Sequence, residues 1–451
     1  MPASRPYLYY GQTQSLCETC LTTVPAKIIF QDDKVYYLKR CPEHGQQRSL
    51  ISTDIPYFKR CKEYLKPGDM PNTFQSTIDK GCPYDCGLCP DHEQHTCLAI
   101  FNIIDECNLR CPVCFTNSAP GHGNPRSMAD IEAMLNTLLA SELEPDLVQV
   151  SGGEPTLHPG IIAILTRLKE SPIRHLMLNT NGLRIANDPD FVTELAKIKT
   201  GFEVYLQFDS LQASSLKNIR GADLRTIRQR ALEQLERHNI STTLVCVIRK
   251  GVNDSEIADL IDYARQWQCV RGVTFQPVQD VGRNQGHERN QRITLSEIRR
   301  AIVEADNPFS DEDMIPLPCH PENISIGYGI KLGDEIHPVT GLLPRDELLK
   351  GTGNTITFEK DQTLKTAFNQ LYSLDACGEQ TLQKLQTLLC CLPKIDAPSL
   401  SYENVFRVVI TSFLDQYNFC TSSVKRSCIH FVEPNGKIFP IDTRYLLHAD
   451  K

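Results

Sequence analysis

The sequence predicts an α/β fold built around a partial six-fold β/α barrel, and three observations carry that expectation. Between Leu98 and about Gln276, strand-like and helix-like segments alternate about six times. The strands read as continuous apolar runs such as "LAIFNII", which suits strands buried on both faces. Outside this stretch the alternation stops, giving way to cysteine-rich segments before it and to mixed helices with a hairpin after it. The expected organisation is a metal-knuckle domain over 1–75, a second cysteine-rich segment over 76–97, the barrel over 98–290 and an α+β extension over 291–451.

Taken in order, the elements have local reasons. "AKIIF" and "KVYYLKR" are short strands between two cysteine knuckles. "SMADIEAMLNTLLASE" has helical periodicity, with Ser127 as N-cap and Asp130 three residues on. "DLVQV", "RHLMLN", "FEVYLQF", "STTLVCVI" and "RGVTFQ" supply the further strands. "DLRTIRQRALEQLERH" alternates charge sign and reads as a solvated outer face. The polar loop "VGRNQGHERNQR" marks a boundary, after which Thr294 and Glu297 form a capping box. In "CIHFVEPNGKIFPID", Asn435-Gly436 signals a hairpin turn.

With 451 residues, 41% hydrophobic and 23% charged, the composition is that of a soluble globular protein of two or three domains. A net charge of −8 gives no broad basic footprint, so no nucleic acid is expected. No apolar run approaches the roughly 20 residues of a transmembrane segment. "MPASRPYLYYGQTQ" lacks the charged start and apolar core of a secretory signal, so a cytoplasmic location is expected. In that reducing compartment, 19 cysteines are not structural disulfides. Eleven of them lie between Cys17 and Cys114, which points to metal binding.

Cys107, Cys111 and Cys114 have the spacing C-x3-C-x2-C just past the first barrel strand, where barrel active sites are built. Three thiolates leave one iron of a [4Fe–4S] cluster without a protein ligand; zinc with a fourth ligand from elsewhere is the alternative. One β/α unit later, "SGGEP" places Gly152, Gly153 and Glu154 at the next strand end. The glycines permit close backbone approach, and the carboxylate can accept hydrogen bonds from an ammonium group. Cys82, Cys86 and Cys89 repeat the triad spacing, and Cys97 offers a fourth thiolate to close an auxiliary [4Fe–4S] cluster. Cys17, Cys20, Cys41 and His44 form a Cys3His tetrahedral set for zinc or a mononuclear iron. Cys61 reads as a helix residue, Cys246 and Cys269 as core, and His92 and His95 as exposed or backbone-bonded loop histidines.

These motifs resemble the radical S-adenosylmethionine (SAM) superfamily, in which SAM chelates the open iron and is cleaved to a 5′-deoxyadenosyl radical that abstracts hydrogen from carbon. Val113 stands where an aromatic residue is frequent, and Phe115 follows the third cysteine instead. "CLTTVPAKI", "CPEHG", "GCPYDCGLCPDHEQHTCLAI", "CNLRCPVCF" and "HFVEPNGKIFP" are similar to the subfamily of tetraether lipid synthases and pterin-methylating enzymes over nearly the whole chain. The resemblance implies that Asn179, Gln207 and Asp209 lie where the ribose and carboxylate of SAM are held. It also implies that Cys319 in "LPCHP" and Cys428 in "SCIHF" contribute to a second auxiliary cluster, with Cys377, Cys390, Cys391 and Cys420 as further ligand candidates. The implied partners are a small-molecule or lipid-like substrate and a reduced flavodoxin- or ferredoxin-type electron donor. The implied chemistry is C–C bond formation or methyl transfer on a lipid-like or pterin-like substrate. Two alternatives stand beside it: a radical SAM enzyme modifying peptide or RNA, and a non-catalytic iron–sulfur carrier or scaffold.

Overall fold

A strand with no solvent face is dominated by apolar residues, and Leu147–Ser151 is buried at all five positions, with Gln149 and Ser151 as its polar members. Thr242–Ile248 has one residue that is not fully buried. The computed structural model, which describes residues 5–343, 345–350, 353–356 and 404–449, builds such strands into one large sheet. Cys377, Cys390 and Cys391 lie outside the described residues.

The chain begins with an antiparallel four-stranded ribbon: β1 (Leu8–Leu16), β2 (Thr23–Gln31), β3 (Lys34–Cys41) and β4 (Gly45–Ser52). Asp32 and Asp33, both at positive φ, make the two-residue turn between β2 and β3. Then come β5 (Leu98–Asn102), the short β6 (Val113–Cys114), β7 (Leu147–Ser151), β8 (His175–Thr180), β9 (Phe202–Gln207), β10 (Thr242–Ile248) and β11 (Val270–Pro277). Apart from β6, these pair in parallel in chain order, giving the partial barrel. The helix Met128–Ser141 starts on a reciprocal Ser127–Asp130 capping box, and Leu295–Val303 on one between Thr294 and Glu297, as the sequence predicts. Cys61 is buried on the helix Ile55–Glu63, and Cys246 and Cys269 are core.

The remaining strands are β12 (Arg283–Asn284), β13 (Ile315–Pro316), β14 (Ile324–Leu332), β15 (Glu335–Pro338), β16 (Val405–Thr411), β17 (Ile429–Val432) and β18 (Ile438–Pro440). They do not form a layer of their own. β16 pairs in parallel with β11 at one edge of the barrel sheet, and β17 pairs in parallel with β5 at the other. The sheet order is β13-β14-β16-β11-β10-β9-β8-β7-β5-β17-β18, an open path with β13 and β18 at its ends. Gly436 at φ +82° turns β17 into β18, matching the hairpin signal.

The helix Arg225–Arg237 departs from its reading as a solvated face. Arg228, Ala231, Leu232 and Leu235 are buried, and Arg228 points inward to the Asn181 carbonyl. Charge alternation describes the outer stripe of that helix and says nothing of an arginine on the inner one.

Candidate active site

The first strand of the barrel ends at Asn102, and the loop beyond it carries Cys107, Cys111 and Cys114 to the wall of a cavity of ≈ 270 Å³ inside the barrel. The three are not among the described donor groups that converge within 4.8 Å, as donors around a single ion would. Burial pushes the Cys107 thiol up to about 12 and raises Cys111 as well, while Arg220 opposes the rise at Cys111.

The Gly152-Gly153-Glu154 loop lies flat on the backbone leading to the triad. Gly153 N donates to Ile104 O at 2.8 Å and Glu154 N to Glu106 O at 2.9 Å. A Cβ at Gly152 would overlap the Ile104 carbonyl oxygen, and one at Gly153 that of Glu106. Gly152 also sits at φ +148°. Glu154 is buried but not orphaned. Its Oε1 accepts from Thr156 N at 3.1 Å, Thr156 Oγ1 at 2.6 Å and Thr180 Oγ1 at 2.7 Å, and its Oε2 accepts from Asn181 N at 2.8 Å. Burial raises this carboxyl, and those four donors oppose the rise. The group is a fixed acceptor on the cavity wall.

Next along the wall, hydrogen bonds link the ends of three strands. Asn179 Nδ2 donates to Ser151 Oγ at 3.1 Å, Gln207 Nε2 to Asn179 Oδ1 at 2.9 Å, and Arg220 Nη2 to Gln207 Oε1 at 2.9 Å. Asn179 and Gln207 line the cavity, whereas Asp209 does not. Asp209 is wholly buried behind Arg220, whose Nε and Nη2 approach its carboxylate at 2.7 and 2.6 Å. Direct contact of Asp209 with a cavity ligand is therefore corrected to an indirect role: its charge is already paired with the arginine that faces the cavity. Arg220 was not singled out by its sequence context. The signal available was an arginine closing the short helix Ala213–Arg220, with Gly221 at φ +82° packed beside Pro112 of the triad loop. Arg228 also lines the cavity, with Nε and Nη2 lacking hydrogen-bond partners, and burial lowers it to about 10.

Deeper in the barrel, Arg407 of β16 donates to both oxygens of Glu203 on β9, at 2.8 and 2.7 Å. His175 Nε2 lies 3.1 Å from Glu203, and Thr243 Oγ1 donates to it. Burial opposes the Glu203 charge, but Arg407 and His175 hold the carboxyl well below its usual range. Gln149, Tyr205 and Gln276 add further polar groups to the lining, and Leu98, Ile100, Ile429 and Phe431 add apolar ones.

Nine of the other cysteines, three of them with His44, form three separate groups. Cys17, Cys20, Cys41 and His44 place their donor atoms within 4.8 Å of one another. Burial opposes ionisation of Cys17, but the Cys20 and Thr19 N–H groups bring it down to about 6, as suits a metal-binding thiolate. Cys82, Cys86 and Cys89 line a small chamber with Asp91, His92 and Lys425. Cys97 is not among them. It converges with Cys319 and Cys428 within 4.8 Å, all three buried, with Cys319 and Cys428 sulfurs 3.8 Å apart. The expected fourth thiolate of the upstream set is thus placed elsewhere, for a backbone reason: Cys97 N and Leu98 N both donate to Cys428 O, where β5 and β17 begin to pair. Cys420 is apart from this group, 3.1 Å from Thr13 Oγ1. Of the two readings of His92, the backbone-bonded one holds: it is buried, 2.9 Å from Ser427 O and 3.1 Å from His430. His95 lies between Glu142 and the Asn354 carbonyl.

Residues 101–264 match the radical SAM superfamily. Residues 9–53 match the HMPTM N-terminal zinc ribbon domain, the region where Cys17, Cys20, Cys41 and His44 converge. The chain is 29% identical to the 7,8-dihydro-6-hydroxymethylpterin dimethyltransferase of Methanocaldococcus jannaschii, over 98% of this chain and 94% of that protein. It is 28% identical to a GTP 3′,8-cyclase of Syntrophomonas wolfei, over 42% of this chain and 58% of that one. Among solved structures, Streptococcus suis SuiB bound to S-adenosylmethionine is 19% identical with a TM-score of 0.39, covering 47% of each chain. The chain spans about half the length of that structure. No helix among the described residues is long and apolar enough to cross a membrane.

Proposed function

We propose that this radical SAM enzyme acts on a pterin-like heterocycle and forms a new carbon–carbon bond on it by methyl transfer. The observation that carries the reading is the cavity itself. At ≈ 270 Å³, it runs from the triad to a buried Glu203–Arg407 pair, and its mostly apolar lining carries a few polar groups, Gln149, Tyr205 and Gln276 among them. A planar, hydrogen-bonding ring matches that lining; an aliphatic chain would leave the charged floor facing hydrocarbon. The pterin named for the Methanocaldococcus relative has this character, and the match to that relative extends over nearly the whole chain.

In this reading Cys107, Cys111 and Cys114 hold a [4Fe–4S] cluster, for which three cavity-lining thiols on one loop are a fitting donor set. Bound together, cluster and SAM supply one-electron cleavage of a carbon–sulfur bond and a carbon radical able to abstract hydrogen. Glu154 receives the ammonium group of SAM, while Arg220 and Arg228 balance its carboxylate. Asn179 and Gln207 orient the ribose, and Asp209 positions Arg220. Gly152 and Gly153 let this loop lie against the triad loop, so that donor and acceptor sites are fixed before ligands arrive. Cys82, Cys86 and Cys89, with Cys97, Cys319 and Cys428 as a separate group, would hold further metal centres. The N-terminal set would hold zinc or a single iron.

The test is an anaerobic reconstitution with iron and sulfide, followed by reduction with dithionite. The protein is then incubated with SAM and either 6-hydroxymethyl-7,8-dihydropterin or an archaeal-type diether lipid, with mass-spectrometric detection. The expected result is pterin-dependent 5′-deoxyadenosine and a methylated pterin, once a one-carbon donor is supplied. Deoxyadenosine stimulated only by lipid would overturn the substrate class, and its complete absence would overturn the catalytic reading.

A further inference from the structure

The polar segment after β11 is more than a boundary. Gly282, Arg283, Asn284 and Gln285 lie as a strap along the Pro112–Phe115 part of the triad loop, whereas the Gly152-Gly153-Glu154 contact is with Ile104–Glu106. Arg283 pairs with Cys114 and Asn284 with Val113 in a short antiparallel ribbon between β12 and β6. Gln285 N donates to Pro112 O at 3.0 Å. Gly282, at φ +68°, comes so close that a Cβ there would overlap the carbonyl oxygens of Cys114 and Phe115.

The guanidinium of Arg283 completes this contact. Nε donates to Cys111 O at 2.6 Å, Nη2 to Ser118 O at 2.7 Å and Nη1 to Asn117 Oδ1 at 3.1 Å. These acceptors span the loop from the second cysteine to beyond the third. None of these acceptors is a carboxylate. Its full positive charge thus stands against the backbone of the cysteine loop. Arg249 anchors the strap from behind, donating to Gln285 O at 3.0 Å and to Gly286 O. The strap also begins in the cavity wall, where Val278, Gln279 and Val281 stand.

We infer that Arg283 is a positioning residue for the metal centre of the triad: its fork locks the Cys111–Ser118 segment in binding geometry, and its charge, held on carbonyl oxygens rather than on a carboxylate among the described residues, favours the reduced centre. The second half follows from electrostatics, since a reduced cluster carries one more negative charge and a fixed cation beside it stabilises that state. The first half follows from three charge-assisted hydrogen bonds to this segment. The inference rests on the proposed role of the triad, and the experiment separates the two.

The full-length protein, anaerobically reconstituted, is compared with its Arg283→Gln and Arg283→Lys variants by two readouts besides turnover. One is the midpoint potential of the SAM-responsive cluster, followed by its electron paramagnetic resonance signal. The other is the rate of iron loss to a chelator. Arg283→Gln is expected to lower the potential and release triad iron several-fold faster. Arg283→Lys keeps the charge without the fork, so its potential should remain near the parent value while iron release still quickens. Unchanged potential and unchanged release in Arg283→Gln would overturn the inference while leaving the triad assignment standing. If the parent protein shows no SAM-responsive cluster at all, both fall. Should Arg283→Gln fail to load, the lysine variant decides alone: parent-like iron release overturns the fork.

Discussion

Two sets of three cysteines serve the same barrel, and they are built in opposite ways. Cys107, Cys111 and Cys114 come from one eight-residue stretch and face the cavity. Cys97, Cys319 and Cys428 come from three segments far apart in the chain, are packed into the apolar cluster with Ile324 and Phe431, and crowd within 4.8 Å. The first set sits past the end of β5 and the second immediately before its start, so a five-residue strand, about 16 Å long, separates them. The difference teaches what each can do. A set fixed by local spacing on a loop is free to present an open face to a ligand, whereas one assembled by strand pairing can exist only where the fold is closed around it.

The sharpest way to break this contrast is to remove one sulfur from each set. Cys111→Ala should abolish 5′-deoxyadenosine formation in an anaerobic assay while zinc or iron at the ribbon site is retained by metal analysis. Residual activity near the parent level would deny the loop set its role. Glu154→Gln keeps the shape but not the charge of an acceptor held by four donors. We expect about a hundredfold lower kcat/KM for SAM cleavage, equivalent to about 2.7 kcal/mol. A loss below about threefold would mean that the carboxylate only braces the loop.

Asp442 tests the wall between the cavity and the upstream cysteine chamber. Pro440 lines the chamber and Ile441 the cavity, and Asp442, wholly buried, accepts from Leu414 N and Ser427 Oγ. Burial raises its carboxyl from 3.8 to about 6 despite those bonds. Between these values the folded state binds more protons than the unfolded one, so this group's contribution to stability falls as pH rises from about 4 to about 6, by up to ~3 kcal/mol. Asp442→Asn should lack that slope in denaturant titrations across the window; a parallel slope would refute the assignment. The smallest effect is expected at the buried set. Cys319→Ser in the metal-free protein should cost about 1–2 kcal/mol, because a buried hydroxyl replaces a thiol among apolar neighbours. Deoxyadenosine yield from the triad should be affected less than stability.

Legibility followed the same division. The parallel order of β5, β7, β8, β9, β10 and β11 could be read from alternating patterns, and the triad and Gly-Gly-Glu from residues adjacent in sequence. Cys97 was misplaced because proximity along the chain favoured Cys89, while the pairing of β5 with β17 decided otherwise. No periodicity announces that β16 and β17 flank the same sheet, since each is a short apolar run like any core strand. Arg220, Arg228 and Arg283 were hidden for a related reason. An arginine in sequence looks like surface, and only the carbonyls and carboxylates around it reveal it as a buried or clamping cation.

The placement of β16 and β17 bears on biogenesis. Both outer partners of the six central strands are translated last, after Val405, so on the ribosome β5 and β11 are finished long before their neighbours exist. Two apolar edges with unpaired amide and carbonyl groups then wait in the nascent polypeptide, the condition under which strands recruit foreign chains. Expression yield should therefore respond to chaperone supply and to growth temperature, and shortening the gene from its 3′ end should cost solubility before it costs any residue of the triad.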